Sequence, residues 1–112
     1  MSNFRNIQIP EIIREALAEF IERESNSDSL ITITNVISTS DFKRVMVFVT
    51  VFPEHKEQAA LDFLKRQRSQ ARDYLKKHTR LARIPHIEIE LDGGEKSRQR
   101  IEEISREIHT DD

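Results

Sequence analysis

The 112-residue sequence contains no cysteine and no tryptophan, and its only two glycines stand side by side as Gly93 and Gly94. Without cysteine there is no disulfide framework, no thiolate zinc site and no cysteine nucleophile, a pattern that fits the reducing cytoplasm. Two adjacent glycines cannot build a glycine-rich loop around the phosphates of a nucleotide. Long apolar runs are missing too: the strongest, Val45 to Phe52, falls far short of the roughly 20 residues that cross a bilayer. No basic-then-apolar signal opens the chain, so a soluble, non-exported, cytoplasmic protein is expected.

What remains is short and heavily charged. Apolar residues make up 37% and charged residues 34%, which suits a folded chain with a highly charged surface rather than a disordered one. At 13.2 kDa one core is expected, giving a single domain over 1–112 with its core at about 9–92 and a C-terminal extension over 93–112. The net charge of −2 conceals a segregation. From Lys65 to Arg83 there are eight basic residues, Lys65, Arg66, Arg68, Arg72, Lys76, Lys77, Arg80 and Arg83, against Asp73 alone, a net charge of +7 that leaves −9 for the rest. A field concentrated in this way steers an anionic partner even when the total charge is near zero.

Hydrophobic periodicity orders the chain. Ile9, Ile12, Ile13, Ala16, Leu17, Phe20 and Ile21 recur at helical spacing, predicting an amphipathic helix over 9–24 with Pro10 in its first turn. After a polar turn, Leu30 to Ser38 reads as a strand rich in Ile, Thr and Val. Arg44 to Phe52 is apolar on both faces and is therefore expected in the middle of a sheet. Beyond Pro53, helical stripes run over 54–66 and on to about His78, with the apolar stripe interrupted by the polar run Lys65 to Gln70, so a kink or break is expected near Gln67 to Gln70. A last strand covers Ile84 to Leu91, with Ile87, Ile89 and Leu91 inward and His86, Glu88 and Glu90 outward. Ile101, Ile104 and Ile108 keep helical spacing and leave room for a short C-terminal helix.

Few side chains are arranged for catalysis. His55, His78, His86 and His109 do not form a metal-binding spacing on a helix, and the serines and threonines lie outside any nucleophile elbow. His86, Glu88 and Glu90 share one strand face and could hold an ion, but a solvated outer face explains them more simply. No enzyme, cofactor or small-molecule substrate is expected. The basic window is different: on one continuous helix Lys65, Arg68, Arg72 and Lys76 would advance by three or four and form a stripe that Arg80 extends. Solvated helix faces usually interleave acid with base, and here almost none is interleaved. The repulsion along the row calls for an anionic partner, of which a phosphate backbone is the obvious one and an acidic protein surface the alternative.

The order α-β-β-α-α-β in about 90 residues resembles a type II KH domain, an α+β fold whose three-stranded sheet is covered by helices on one face. Two stretches are similar to the ribosome-binding factor A family. In LITITNVISTSDFKRVMVFVTVF, Leu30 to Phe52, they are the Thr-rich first strand, the turn with Val36, Thr39 and Asp41, and the apolar second strand. In RSQARDYLKKHTRLARIPHIEIELD, Arg68 to Asp92, they are Arg72, Arg80-Leu81, Pro85 and the closing Asp92. Where the family has Ala-x-Gly between its second and third helices, this chain has Gln67-Arg68-Ser69. The resemblance implies a non-catalytic, monomeric assembly factor that binds the immature small ribosomal subunit through 16S rRNA, assists late maturation and leaves before translation. Arg72, Arg80 and Arg83 match family positions, and the charge pattern independently adds Lys65, Arg66, Arg68, Lys76 and Lys77. Lys43 and Arg44, at the turn into the second strand, are lesser candidates.

Overall fold

The computed structural model describes residues 2–25, 28–93, 99 and 102–103. Helix α1 (Ser2–Glu24) is followed by strands β1 (Leu30–Ser38) and β2 (Arg44–Phe52), a 3-10 turn at Glu54–Lys56, helices α2 (Glu57–Arg66) and α3 (Arg68–His78), and strand β3 (His86–Leu91). The α-β-β-α-α-β order expected for the chain is the observed one. Gln99, Glu102 and Glu103 are helical; the other residues on which a C-terminal helix was expected lie outside the described residues.

Three boundaries differ from the sequence reading, the first being the helix expected from residue 54, which opens as the 3-10 turn Glu54–Lys56 before α2 begins at Glu57. Helix α1 starts at Ser2, so Pro10 lies inside it rather than in its first turn. The apolar repeat begins only at Ile9, and the preceding turns carry no repeat by which their helical state could be read. Strand β3 begins at His86 rather than Ile84. Pro85 cannot donate to a ladder, and pairing starts one residue later, at Arg44 with His86.

The sheet has the order β1-β2-β3. β1 and β2 pair antiparallel across a tight turn, whereas β2 and β3 run parallel, which requires a long crossover that α2 and α3 provide. Strand β2 is central because both of its faces can be buried. Val45, Val47 and Val49 join Ile13, Leu17, Phe20, Leu64, Ala71, Leu75 and Ile87 in the main core beneath the helices. Met46 and Phe48 point to the opposite face and are as deeply buried, packed with Ile37.

Strand β1 solves a local conflict. Strict alternation would place Ile31, Ile33, Asn35 and Ile37 on one face and bury the Asn35 amide. The register instead slips between Ile33 and Asn35, leaving Thr34 without an opposite residue. The phase therefore switches: Ile31, Ile33 and Val36 pack on the main core, Ile37 packs on Met46 and Phe48, and Asn35 stays exposed. The bulge is held from both sides. Arg14 donates from Nη2 to the Thr34 carbonyl at 2.8 Å, while the Thr34 hydroxyl bonds the Asp92 carboxylate beyond the end of β3.

The β1–β2 turn carries the one buried polar side chain among the described residues, Thr39. Its hydroxyl donates to Asp41 Oδ1 at 2.7 Å, and the same carboxylate oxygen accepts the Lys43 N–H at 3.0 Å. These bonds, the Thr39 hydroxyl first, lower the Asp41 pKa from its ordinary value. Phe42 adopts a positive φ of 59° to complete the turn. The Thr39 and Asp41 positions that resemble the family are thus the side chains that build this turn.

Candidate nucleic-acid interface

The eight basic residues occupy three consecutive pieces of chain. Lys65 and Arg66 end α2, Arg68, Arg72, Lys76 and Lys77 lie along α3, and Arg80 and Arg83 lie in the connection to β3. Between the helices the chain breaks at a single residue, Gln67, whose φ of −90° and ψ of 8° leave the helical region. The interruption read from Lys65 to Gln70 is therefore a break at Gln67, made without the family's glycine.

The break corrects the expected stripe. Lys65 cannot continue a row with Arg68 because the two residues belong to different helices. Arg66 borders a notch with Ser25, Ser29, Lys56 and Phe63, on the side where α1 ends and β1 begins. Arg68, Arg72 and Lys76 do follow one another along α3 at four-residue steps, drifting by about 40° per step. Arg72 also donates to the Ile84 carbonyl at 3.2 Å, which ties α3 to the segment carrying Arg80 and Arg83. The structure thus joins Arg68, Arg72 and Lys76 on one helix and fastens the α3–β3 connection beside them.

Among the described residues none of the eight cations makes an ion pair; the pairs present are Glu11 with Arg14 and Arg44 with Glu88. All are exposed except Arg68, which is half-buried. Its Nε is buried and has no hydrogen-bond partner. An unmet buried donor on a charged group is costly. Arg68 is also the first residue of α3, whose N-terminus has no capping side chain and no acid in its first turn.

Helix α3 is set against α1 by an aromatic latch that the sequence did not disclose. The Tyr74 hydroxyl donates to Glu19 at 3.0 Å, its ring packs on Phe20 at 5.6 Å, and the His78 ring stacks on it at 4.1 Å. Arg23 lies over the same ring. Tyr74 and Glu19 are 55 residues apart, so no local pattern could have paired them. Lys43 is exposed at the β1–β2 turn, and its carbonyl accepts the His86 N–H at 2.9 Å. Arg44, by contrast, is committed within the fold, because its Nε and Nη2 both reach Glu88 Oε2. The same pair removes Glu88 from any ion site with His86 and Glu90, and no group of three metal-ligating side chains exists among the described residues.

With this geometry in place, comparison with known proteins is decisive. The family model for ribosome-binding factor A matches residues 5–105. The chain belongs to the ribosome-binding factor A family. The ribosome-binding factor A of Thermomicrobium roseum is 27% identical over 111 residues, covering 96% of this chain and 86% of that protein. The crystal structure of ribosome-binding factor A from Thermus thermophilus superposes with a TM-score of 0.68 at 27% identity, over 76% of this chain and 92% of that one. A homology model of the Thermus thermophilus factor, fitted into a cryo-EM map of its 30S complex, gives a TM-score of 0.66, also at 27% identity, over 74% of this chain and 90% of that one. The α+β fold expected from the resemblance is shared with these relatives. No described helix is long and apolar enough to cross a membrane.

Proposed function

We propose that this chain is a cytoplasmic ribosome assembly factor that binds the immature small ribosomal subunit through 16S rRNA and assists its late maturation. It acts by binding, as a monomer and with no cofactor. The observation that carries this reading is the cluster of eight basic residues along α3 and the segments that flank it, none of which makes an ion pair among the described residues. The 30S complex of the Thermus thermophilus relative supports the choice of particle. Arg68, Arg72 and Lys76 along α3, with Lys65, Lys77, Arg80 and Arg83 around them, contact phosphates; Arg66 contributes from the neighbouring notch. Such contacts give affinity and orientation without reading sequence, so the shape of the folded rRNA supplies specificity. Only two glycines are present, adjacent and far from the α2–α3 break, so the chain has no Gly-x-x-Gly clamp of the kind by which KH domains grip a single strand.

The test is co-sedimentation of the purified protein with free small subunits and with complete ribosomes over a salt series. The expected result is salt-sensitive binding to the free subunits alone, with log affinity falling by about 0.7 to 0.9 per phosphate contact for each unit of log salt. Binding to neither particle overturns the proposal and leaves an acidic protein as the partner of the basic helix.

A further inference from the structure

Strand β1 lies at the edge of the sheet, and no described strand pairs with its outer side. Folded proteins blunt such edges with lysine, proline or inward-pointing charge, because an open edge is a template for another strand. β1 has no such guard: LITITNVIS contains no charged residue and no proline. Its only irregularity is the bulge at Thr34, which leaves Leu30 to Ile33 as a regular open segment.

The open hydrogen-bonding groups can be assigned. The Asp92 N–H donates to the Val49 carbonyl, so the odd-numbered residues of β2 direct their backbone polar groups toward β3. Their partners in β1, Ile31 opposite Val51 and Ile33 opposite Val49, therefore turn their own N–H and C=O away from β2 toward the open edge. At the far end of this segment the Thr34 carbonyl is already taken by Arg14.

Beside these groups runs a groove of about 1000 Å³ between α1 and β1. Ile21, Ile31 and Ile33 contribute apolar lining, Ala18 on α1 is small and leaves it open, and Phe52 and Pro53 close one end. Leu30 and Phe52, opposite each other in the ladder, are 66% and 73% exposed and are the large apolar side chains the fold leaves uncovered. Two acids, Glu22 on α1 and Asp28 beyond it, line the groove, and its one basic residue, Arg14, is held by the Thr34 carbonyl and Glu11. Two carboxylates beside an uncharged strand edge and an apolar floor complement an extended chain that alternates apolar with basic residues.

We propose that the β1 edge takes an extended, basic peptide segment from a protein of the small ribosomal subunit as an added strand against Leu30 to Ile33. The inference rests on the assembly-factor reading. Its physical consistency lies in charge: a protein segment lying against rRNA must itself be basic to neutralise phosphate, and the basic α3 repels it while Glu22 and Asp28 attract it. The peptide's main chain bonds Ile31 and Ile33, alternate side chains enter the groove, and its cations meet Glu22 and Asp28.

The experiment places the photo-crosslinking amino acid p-benzoylphenylalanine at position 32 in one preparation and at position 76 in another, each bound to free small subunits. Thr32 is exposed on β1, and Lys76 is exposed on α3. The expected result is a crosslink from position 32 to a Lys- and Arg-rich segment of a subunit protein and from position 76 to rRNA. With the probe kept at position 32, Leu30→Lys, and separately Glu22→Lys with Asp28→Lys, should weaken that protein crosslink by about tenfold while leaving the rRNA crosslink in place. A position-32 crosslink to rRNA only, to a second copy of this chain, or to nothing while position 76 still labels rRNA overturns the inference and spares the assembly-factor reading. Failure of both probes and of co-sedimentation overturns both.

Discussion

The α2–α3 break and the β1 edge invite an encounter by opposite means. At the break, charge is present in excess and its usual compensation is missing: α3 has no acid in its first turn, and Arg68 keeps a buried donor without an acceptor. At the edge, charge is missing where a lone strand normally carries it. The first arrangement attracts from a distance and tolerates imprecise seating, since Coulombic attraction acts over about a Debye length, near 8 to 10 Å in ordinary salt. The second acts only at contact, because backbone hydrogen bonds and apolar burial require register. A protein that finds a large anionic particle through one region and seats itself through another would be built in this order.

The comparison depends on both regions sharing one core, and the largest effect comes from breaking that core. Leu75 on α3 is fully buried against α1 and the sheet. Leu75→Ala should cost about 2 to 5 kcal/mol of stability, measured by urea unfolding, and should weaken both the rRNA and the protein crosslinks. A loss confined to the rRNA side would show that the two regions fold independently.

Next in size, Arg68→Glu with Arg72→Glu separates the regions. Loss of two phosphate contacts should reduce the magnitude of the salt slope for free small subunits by about 1.4 to 1.8 and lower affinity at every salt concentration, with thermal unfolding little changed. An unchanged slope would remove Arg68 and Arg72 from the interface.

A smaller effect tests the turn behind the sheet. Thr39→Val removes a buried hydroxyl that bonds Asp41 and should cost about 1 kcal/mol at neutral pH. It should also raise the Asp41 pKa toward 3.8, readable by NMR titration. Because the folded value is depressed, the folded protein binds fewer protons than the unfolded one, so this contribution is complete above about pH 4 and is lost as pH falls through the folded value. The stability gap between wild type and variant should therefore narrow in acid. Smallest of all, Tyr74→Phe removes only the exposed bond to Glu19 and should change stability by less than about 1 kcal/mol while leaving the ring stack with His78 intact.

Much of the architecture was legible because the signals are local. Both long strands were read with their observed bounds, the double-faced pattern of β2 placed it centrally, and the polar run after Leu64 marked the helix break. The resemblance carried by the β1–β2 turn and the Arg72 to Asp92 stretch named the correct family. The basic residues were visible as a charge imbalance, but their arrangement was not. A wheel drawn through one helix put Lys65 and Arg68 on the same row, and a single residue outside the helical region, Gln67, separated them. The start of α1 was unreadable because its first turns lack an apolar repeat, and the bulge at Thr34 escaped because the sequence shows only that Asn35 interrupts an apolar alternation.

The sequence by itself determined the elements, their order, the family and the sign of the charge in each part, since each depends on periodicity, composition or residue identity within a short span. The tertiary structure decided which charges stand together and which are spent. It committed Arg44 to Glu88, fixed Arg72 to the Ile84 carbonyl, turned Arg66 to a different side, and left the Arg68 Nε without a partner. It also made β1 an edge. A strand's outer hydrogen bonds depend on which segment folds back beside it, and the crossover through α2 and α3 carries β3 to the far side of β2.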